Sequence, residues 1–430
     1  METLSGIGIL VGFAVLMIGA WRKINLLVVT LVVSGIIAIF SGMGIAETWA
    51  GPYMAGFTNF AGRYLLLFAF GAVFGKVLED SGAGWRLANT IANKAGDKYS
   101  IFAFCAITLI LLYGGVSIFV IVFFLLPIGK SLFKRLRIPW AYFPGIAMIG
   151  TIPPVGILPG SLQILNIIPT NYFGTDLLAA PIVGILASIV YCVMAYFYIK
   201  FIMKNSEKNF DLSEFDNIAS VDLNEDELEK IAPNAVLSII PIITALVLIN
   251  LLKLDIVIGL IIASIVGMVL FNTAMKDKFK TVNDGIVNGI MPLVYVSVVV
   301  GVARTVEAAP FFEVMKDVLL NSNIPGLLKV VSVTSVFSAM TGSSSGSMTM
   351  ILELFGGDFL AWGYHPELLH RLISTSSLGF DSLPWNSVVV VFFSLSGVSY
   401  AKGYKHVFMT TVVMSLIAAG FIMLISPIFY

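Results

Sequence analysis

Charge is scarce in this sequence. Asp, Glu, Lys and Arg make up 12% of its 430 residues, roughly half the ~25% usual in a soluble domain, which excludes a soluble enzyme and a disordered chain. Basic and acidic residues number 25 each, so no net field recruits a polyanion, and nucleic acid is excluded as a partner. Cysteine is nearly absent. Cys105 and Cys192 both sit in apolar runs, which rules out a disulfide framework or a cysteine metal cluster. His365, His370 and His406 are too few for a haem or His-based metal centre without many carboxylates. No Walker motif is present, so ATP does not drive the protein directly, and no cofactor is expected. The N-terminus lacks a basic n-region and a clear cleavage site, so its first apolar run is expected to be a span rather than a leader.

What fills the space is apolar: 58% of residues, with a mean hydropathy of +0.97. A bilayer core of about 30 Å needs about 20 helical residues. Suitable runs recur at 7–20, 25–43, 64–78 with flanks, 180–203, 235–252, 255–271, 290–306 and 406–425. The expected fold class is an all-α polytopic membrane protein of a prokaryotic cytoplasmic membrane, with the lipid bilayer as a partner.

Two other apolar stretches turn at Gly-rich tips. Ile101–Tyr113 and Ile118–Ile128 flank Gly114-Gly115-Val116-Ser117; Leu327–Met340 and Ser347–Phe355 flank Thr341-Gly342-Ser343-Ser344-Ser345-Gly346. First-pair arms of about 11–13 residues, roughly 16–20 Å of helix, are too short to cross. Each pair is therefore read as a re-entrant hairpin. Two long stretches carry breakers in the middle, Pro153–Ser161 and Ser376–Ser387. Proline removes an N–H and glycine adds freedom, so both should unwind at mid-membrane, where freed backbone is tolerated only if buried or lining a cavity.

These features repeat at one offset. Lys76-Val77-Leu78-Glu79 aligns with Arg304-Thr305-Val306-Glu307, Gly115 with Gly342, Pro139 with Pro366 and Leu158-Pro159 with Leu383-Pro384, all 225 to 228 residues apart. A duplicated unit of five transmembrane helices is odd in crossings, so the second copy must be inverted. With two re-entrant hairpins, 18 of the 25 Lys and Arg residues fall on one side. Arg63, Lys253, Lys316 and Arg371 fall on the other, and Lys76, Arg304 and Lys329 lie near or within spans. Letting the hairpin regions cross instead gives about 13 against 9, so the positive-inside rule favours the hairpins and places both termini outside the cytoplasm. The expected division is 1–203 for the first repeat (hairpin 100–135, broken helix 140–173), 204–233 for an acidic, solvated cytoplasmic linker, and 234–430 for the second repeat (hairpin 326–360, broken helix 367–397).

Tips and breaks at mid-membrane expose N–H groups and helix ends that favour anions. The residues there are small, hydroxylic or amidic: Gly114, Gly115, Ser117, Gly160, Ser161, Gln163 and Asn166 in the first copy, and Thr341, Gly342, Ser343, Ser344, Ser382 and Asn386 in the second. Such a set suits a polyhydroxylated or carboxylated small anion held by neutral hydrogen bonds, though any one serine could simply satisfy backbone or allow close helix packing. Asp381 is the one carboxylate within a break. It is expected to couple transport to an ion, to cap the half-helix starting near Ser382, or both. Sodium could instead use Ser343, Ser344 and Ser345, since hard cations take oxygen ligands. The Lys76/Glu79 and Arg304/Glu307 pairs read as local ion pairs or anchors, and His365 and His370 as interfacial. Gly342-Ser343-Ser344-Ser345-Gly346 matches a nucleophile elbow formally, but that motif needs a strand-to-helix turn with His and acid in reach, so no enzyme is expected.

The segments Gly114–Val120, Arg137-Ile138-Pro139 and Leu158–Thr175, which contains Gly160-Ser161-Leu162-Gln163-Ile164-Leu165-Asn166, resemble the gluconate:proton symporter family. Asp381-Ser382-Leu383-Pro384-Trp385-Asn386 is similar to that family's Asp-x-Leu-Pro-His segment and departs from it at Trp385. The resemblance places the chain in the wider ion-transporter superfamily. It implies a homodimeric elevator, in which the first two spans of each half (7–43 and 235–271) would form the scaffold and the hairpins and broken helices the moving part, carrying a small organic acid such as a sugar acid or hydroxycarboxylate by symport. Protons through Asp381 are favoured over sodium. An anion channel is the alternative of another class.

Overall fold

The computed structural model describes residues 2–22, 24–114, 116, 118–204, 206–215, 229–252, 254–275, 277–322 and 324–430. Every regular element among these residues is a helix. That follows from the composition, because lipid offers no partners for backbone N–H and C=O groups and a helix satisfies its own. Six helices are long and apolar enough to cross a membrane: Glu2–Gly19, Ile45–Asp80, Trp140–Ile157, Pro181–Met203, Lys278–Glu307 and Tyr400–Phe429. Leu26–Phe40, Ala235–Ile249 and Ile256–Leu270 are apolar but shorter, spanning about 22 Å each. Their starts are fixed by side-chain caps: Asn25 accepts from Leu27 N, Asn234 from Leu237 N, and Asp255 from Val257 N and Ile258 N. The chain is a multi-pass membrane protein.

Two helices form the spine. Met54–Asp80 and Lys278–Glu307 lie side by side, and small residues let their backbones touch. A Cβ on Gly289 would come within 2.5 Å of the Phe68 carbonyl oxygen. Leu26–Phe40 and Ile256–Leu270 flank this spine. Ile118–Arg135 also packs on Met54–Asp80, whereas Gly326–Thr341 packs chiefly on the interrupted helix Pro366–Asp381.

There the structure corrects several expectations. The helices around the two tips are Ser100–Tyr113 with Ile118–Arg135, and Gly326–Thr341 with Ser344–Ala361. Both second arms have 18 residues, about 27 Å of helix, so they are longer than the sequence suggested; the apolar run ends before the helix does. The first long stretch is interrupted between Trp140–Ile157 and Ile164–Phe173, the second between Pro366–Asp381 and Ser387–Ser396. The expected unwinding across Ser376–Asp381 does not occur. Ser376 and Ser377 return their hydroxyls to Ile373 O and Ser374 O, so these serines sit within the helix rather than breaking it. The break is confined to Ser382–Asn386. In the 204–233 linker, residues 216–228 lie outside the described set. Its first part is not simply solvated: Glu214 pairs with Lys402 at 2.8 Å, and Phe215 is buried, its ring 5.5 Å from Trp140.

Candidate functional site

Asp381 ends the helix Pro366–Asp381 and is buried. Ser344 Oγ donates to its Oδ2, and Asn386 Nδ2 donates to its Oδ1 at 2.5 Å. Asn386 also donates to Gly342 O at 3.0 Å and accepts from Val389 N, which makes it the N-cap of Ser387–Ser396. The capping role expected of Asp381 therefore belongs to Asn386, five residues on, because the chain between them is unwound. One amide thus joins the carboxylate, the tip of the second helix pair and the start of the next half-helix. The tip itself reverses at Gly342, whose φ of +59° suits glycine and where a Cβ would meet Trp385 O at 3.0 Å. Ser343 caps Ser344–Ala361 by accepting from Gly346 N, and Thr341 donates to Phe337 O. Ser382 donates to Leu378 O, while Tyr404 and Tyr400 supply donors to the freed carbonyls of Ser382 and Pro384. Trp385 donates to Ala339 O at 2.6 Å and stacks on Phe13, with ring centroids 4.1 Å apart.

The first half builds a related knot from neutral groups. Gln163 Nε2 donates to Leu112 O at 2.6 Å and Val116 O at 2.9 Å, fastening the first tip to the first break. Gly160, at φ +82°, donates its N–H to Leu177 O. Asn166 Nδ2 donates to Ser161 O and Leu177 O, and its Oδ1 pairs with His370 Nε2 at 3.1 Å. The Ser161 hydroxyl is buried and has no hydrogen-bond partner among the described residues. Gly114 ends its helix at a more exposed position, whereas Gly115 and Ser117 lie outside the described residues.

The sequence-predicted residues therefore fall into two knots. They are bridged where the interrupted helices cross: Thr375 donates to Gly156 O at 3.1 Å and Ser374 to Leu165 O at 2.8 Å. One residue was misjudged from sequence. His370 is fully buried between Asn166 and Thr175, not interfacial, and Arg371 is fully buried with its guanidinium donating to Ala179 O at 2.8 Å. The Lys76/Glu79 pair does form, at 3.5 Å, and Lys130 from the first helix pair joins it through Glu79, also at 3.5 Å. These three line a cavity of about 370 Å³ between the spine and the interrupted helix, with Asn288, Ser394 and Ser396.

Comparison with known proteins covers nearly the whole chain. Residues 3–428 match the family model described as GntP family permease. An uncharacterized transporter of Bacillus subtilis (strain 168), YxjC, is 27% identical over 404 residues, covering 84% of this chain and 85% of the relative. The high-affinity gluconate transporter of Escherichia coli (strain K12) is 24% identical over 386 residues, 81% and 82% of the two chains. A gluconate permease of Bacillus subtilis (strain 168) is 32% identical over 140 residues, 32% of this chain and 30% of that one.

Proposed function

The chain belongs to the GntP family of permeases, a transporter rather than an enzyme, and from that premise we propose that it carries a small organic acid anion by proton symport. A sugar acid such as gluconate or a related hydroxycarboxylate is the substrate class, consistent with the hydroxyl and amide groups of both knots and with the names of two relatives. One observation carries the coupling: Asp381 is buried against a serine and an amide, with no basic side chain among its described hydrogen-bond and ion-pair partners. A carboxylate held there needs a cation that arrives during the cycle. The proton is the favoured cation. Sodium is the second reading, favoured by the oxygen-rich surroundings of Ser344, whose hydroxyl reaches both Asp381 and Ser377 O.

In this reading the two helix pairs are re-entrant hairpins within inverted repeats of five spans, and both termini lie outside the cytoplasm. The hairpins and interrupted helices move as one body against the spine, in a homodimer. The division is supported by the cavity between the Met54–Asp80/Lys278–Glu307 spine and the body carrying Lys130 and Ser394. Uptake into proteoliposomes tests the scheme. Saturable, counterflow-competent gluconate accumulation should follow an imposed pH gradient. Accumulation that follows sodium at fixed pH favours the second reading, and flux that neither saturates nor exchanges favours an anion channel.

A further inference from the structure

A second cavity, of about 290 Å³, lies at the opposite end of Ser100–Tyr113 from the first knot. It opens where the start of Ser100–Tyr113 meets the end of Pro181–Met203. Its wall is aromatic: Phe102 sits 5.2 Å from Tyr196 and 6.4 Å from Tyr99, ring centroid to centroid. Its rim is basic. Lys98 Nζ lies 5.2 Å from the Tyr99 ring and Lys200 Nζ 4.9 Å from the Tyr196 ring, with Lys204 completing the set. The one acid in the lining, Asp97, is paired with Arg135 at 3.7 Å. Among the described residues, no ion pair engages Lys98, Lys200 or Lys204.

Two physical features narrow the ligand. Aromatic rings with cations at their faces are the arrangement found at the headgroup level of a membrane, where one end of a ligand is wet and the other oily. The neighbouring side chains are apolar and open: Phe197 is 63% exposed and Phe201 72%, a surface suited to acyl chains rather than water. A soluble anion would gain from the lysines but not from this wall. A zwitterionic lipid would gain from the wall but meet uncompensated ammonium groups. We propose that the cavity holds the phosphodiester headgroup of an anionic phospholipid, with Lys98, Lys200 and Lys204 around the phosphate and the glycerol backbone against Phe102 and Tyr196. The lipid then bridges the incoming arm of the first helix pair to the last span of the first half.

Delipidated full-length protein in mild detergent provides the test, read by native mass spectrometry and thermal unfolding. The probes are phosphatidylglycerol, phosphatidylcholine and inorganic phosphate. Phosphatidylglycerol should be retained and should raise the melting temperature; the other two should do neither. Each lysine near an anionic lipid surface is worth about fivefold in affinity, so Lys200→Gln with Lys204→Gln should weaken retention on the order of twentyfold. Lys200→Arg with Lys204→Arg should restore it, and Lys134→Gln, on another exposed basic site, should leave it unchanged. Equal retention of phosphatidylcholine, an equal shift with inorganic phosphate, or undiminished retention in the double Gln variant would overturn the assignment.

Discussion

The two knots solve one structural problem with different chemistry. Each fastens the tip of a helix pair to the break in the following helix through a side-chain amide, Gln163 in the first half and Asn386 in the second. In the first half the amide faces only backbone carbonyls. In the second it also faces a carboxylate, which a tip serine shares. A neutral fastening is satisfied whatever the ionic conditions. A fastening through a carboxylate differs in kind: under the coupling proposed for Asp381, the second tip is the one that an ion would loosen or tighten.

The sharpest way to break this asymmetry is Asp381→Asn, which makes the second knot neutral like the first. Gradient-driven accumulation should be abolished, while substrate exchange across the membrane persists in part; an isotope-exchange assay beside an uptake assay separates the two. Retained accumulation would sink the role of Asp381. Next in size is Gln163→Ala, which strips the side-chain donor from two carbonyls at once. Leaving a buried acceptor unpaired costs about 1–3 kcal/mol each, so a clear fall in melting temperature is expected, with the ion dependence of any remaining transport unchanged. A smaller effect belongs to the Phe13–Trp385 stack, which lies beside the second knot. A double-mutant cycle of Phe13→Leu and Trp385→Leu should give a coupling of about 0.5–1.5 kcal/mol in thermal unfolding. The smallest is Arg137→Ala: its contact with Glu207 is made by two largely exposed side chains 3.6 Å apart, and such pairs are worth about 0–1 kcal/mol. A large loss of transport there would show that the tips are not where the sensitivity lies.

Much of this was legible in the chain because breakers are local signals. Gly342, Gly160 and the Leu383-Pro384 step announce turns from their own chemistry, and Asp381 stands out as a charge in an apolar run. Cap assignment failed where it depended on how far the break extends, which residues 376–381 decide by returning serine hydroxyls to their own helix. The burial of His370 and Arg371 was hidden for another reason. Their partners, Asn166, Thr175, Leu177 and Ala179, lie about two hundred residues earlier, and no periodicity encodes a contact at that separation. Proximity to Pro366 made His370 look interfacial, and Arg371 was counted only as a charge on the outer side. The structure buries Leu368–Gly379 throughout, but its His, Arg, Ser and Thr residues leave no apolar run in the sequence to announce it.

Arg371 also sets an order for biogenesis. The carbonyls of Leu177 and Ala179 leave the ribosome some 190 residues before the guanidinium that they receive. Ala180 beside them, held at φ +50°, likewise waits for Glu367 to accept its N–H. Until the second half inserts, Ala179 O and the Ala180 N–H lack these partners, whereas Leu177 O already accepts from Asn166 and Gly160; a second half made alone carries a guanidinium without its acceptor. Expression of the two halves from split genes tests this dependence: transport should require both products in the same membrane.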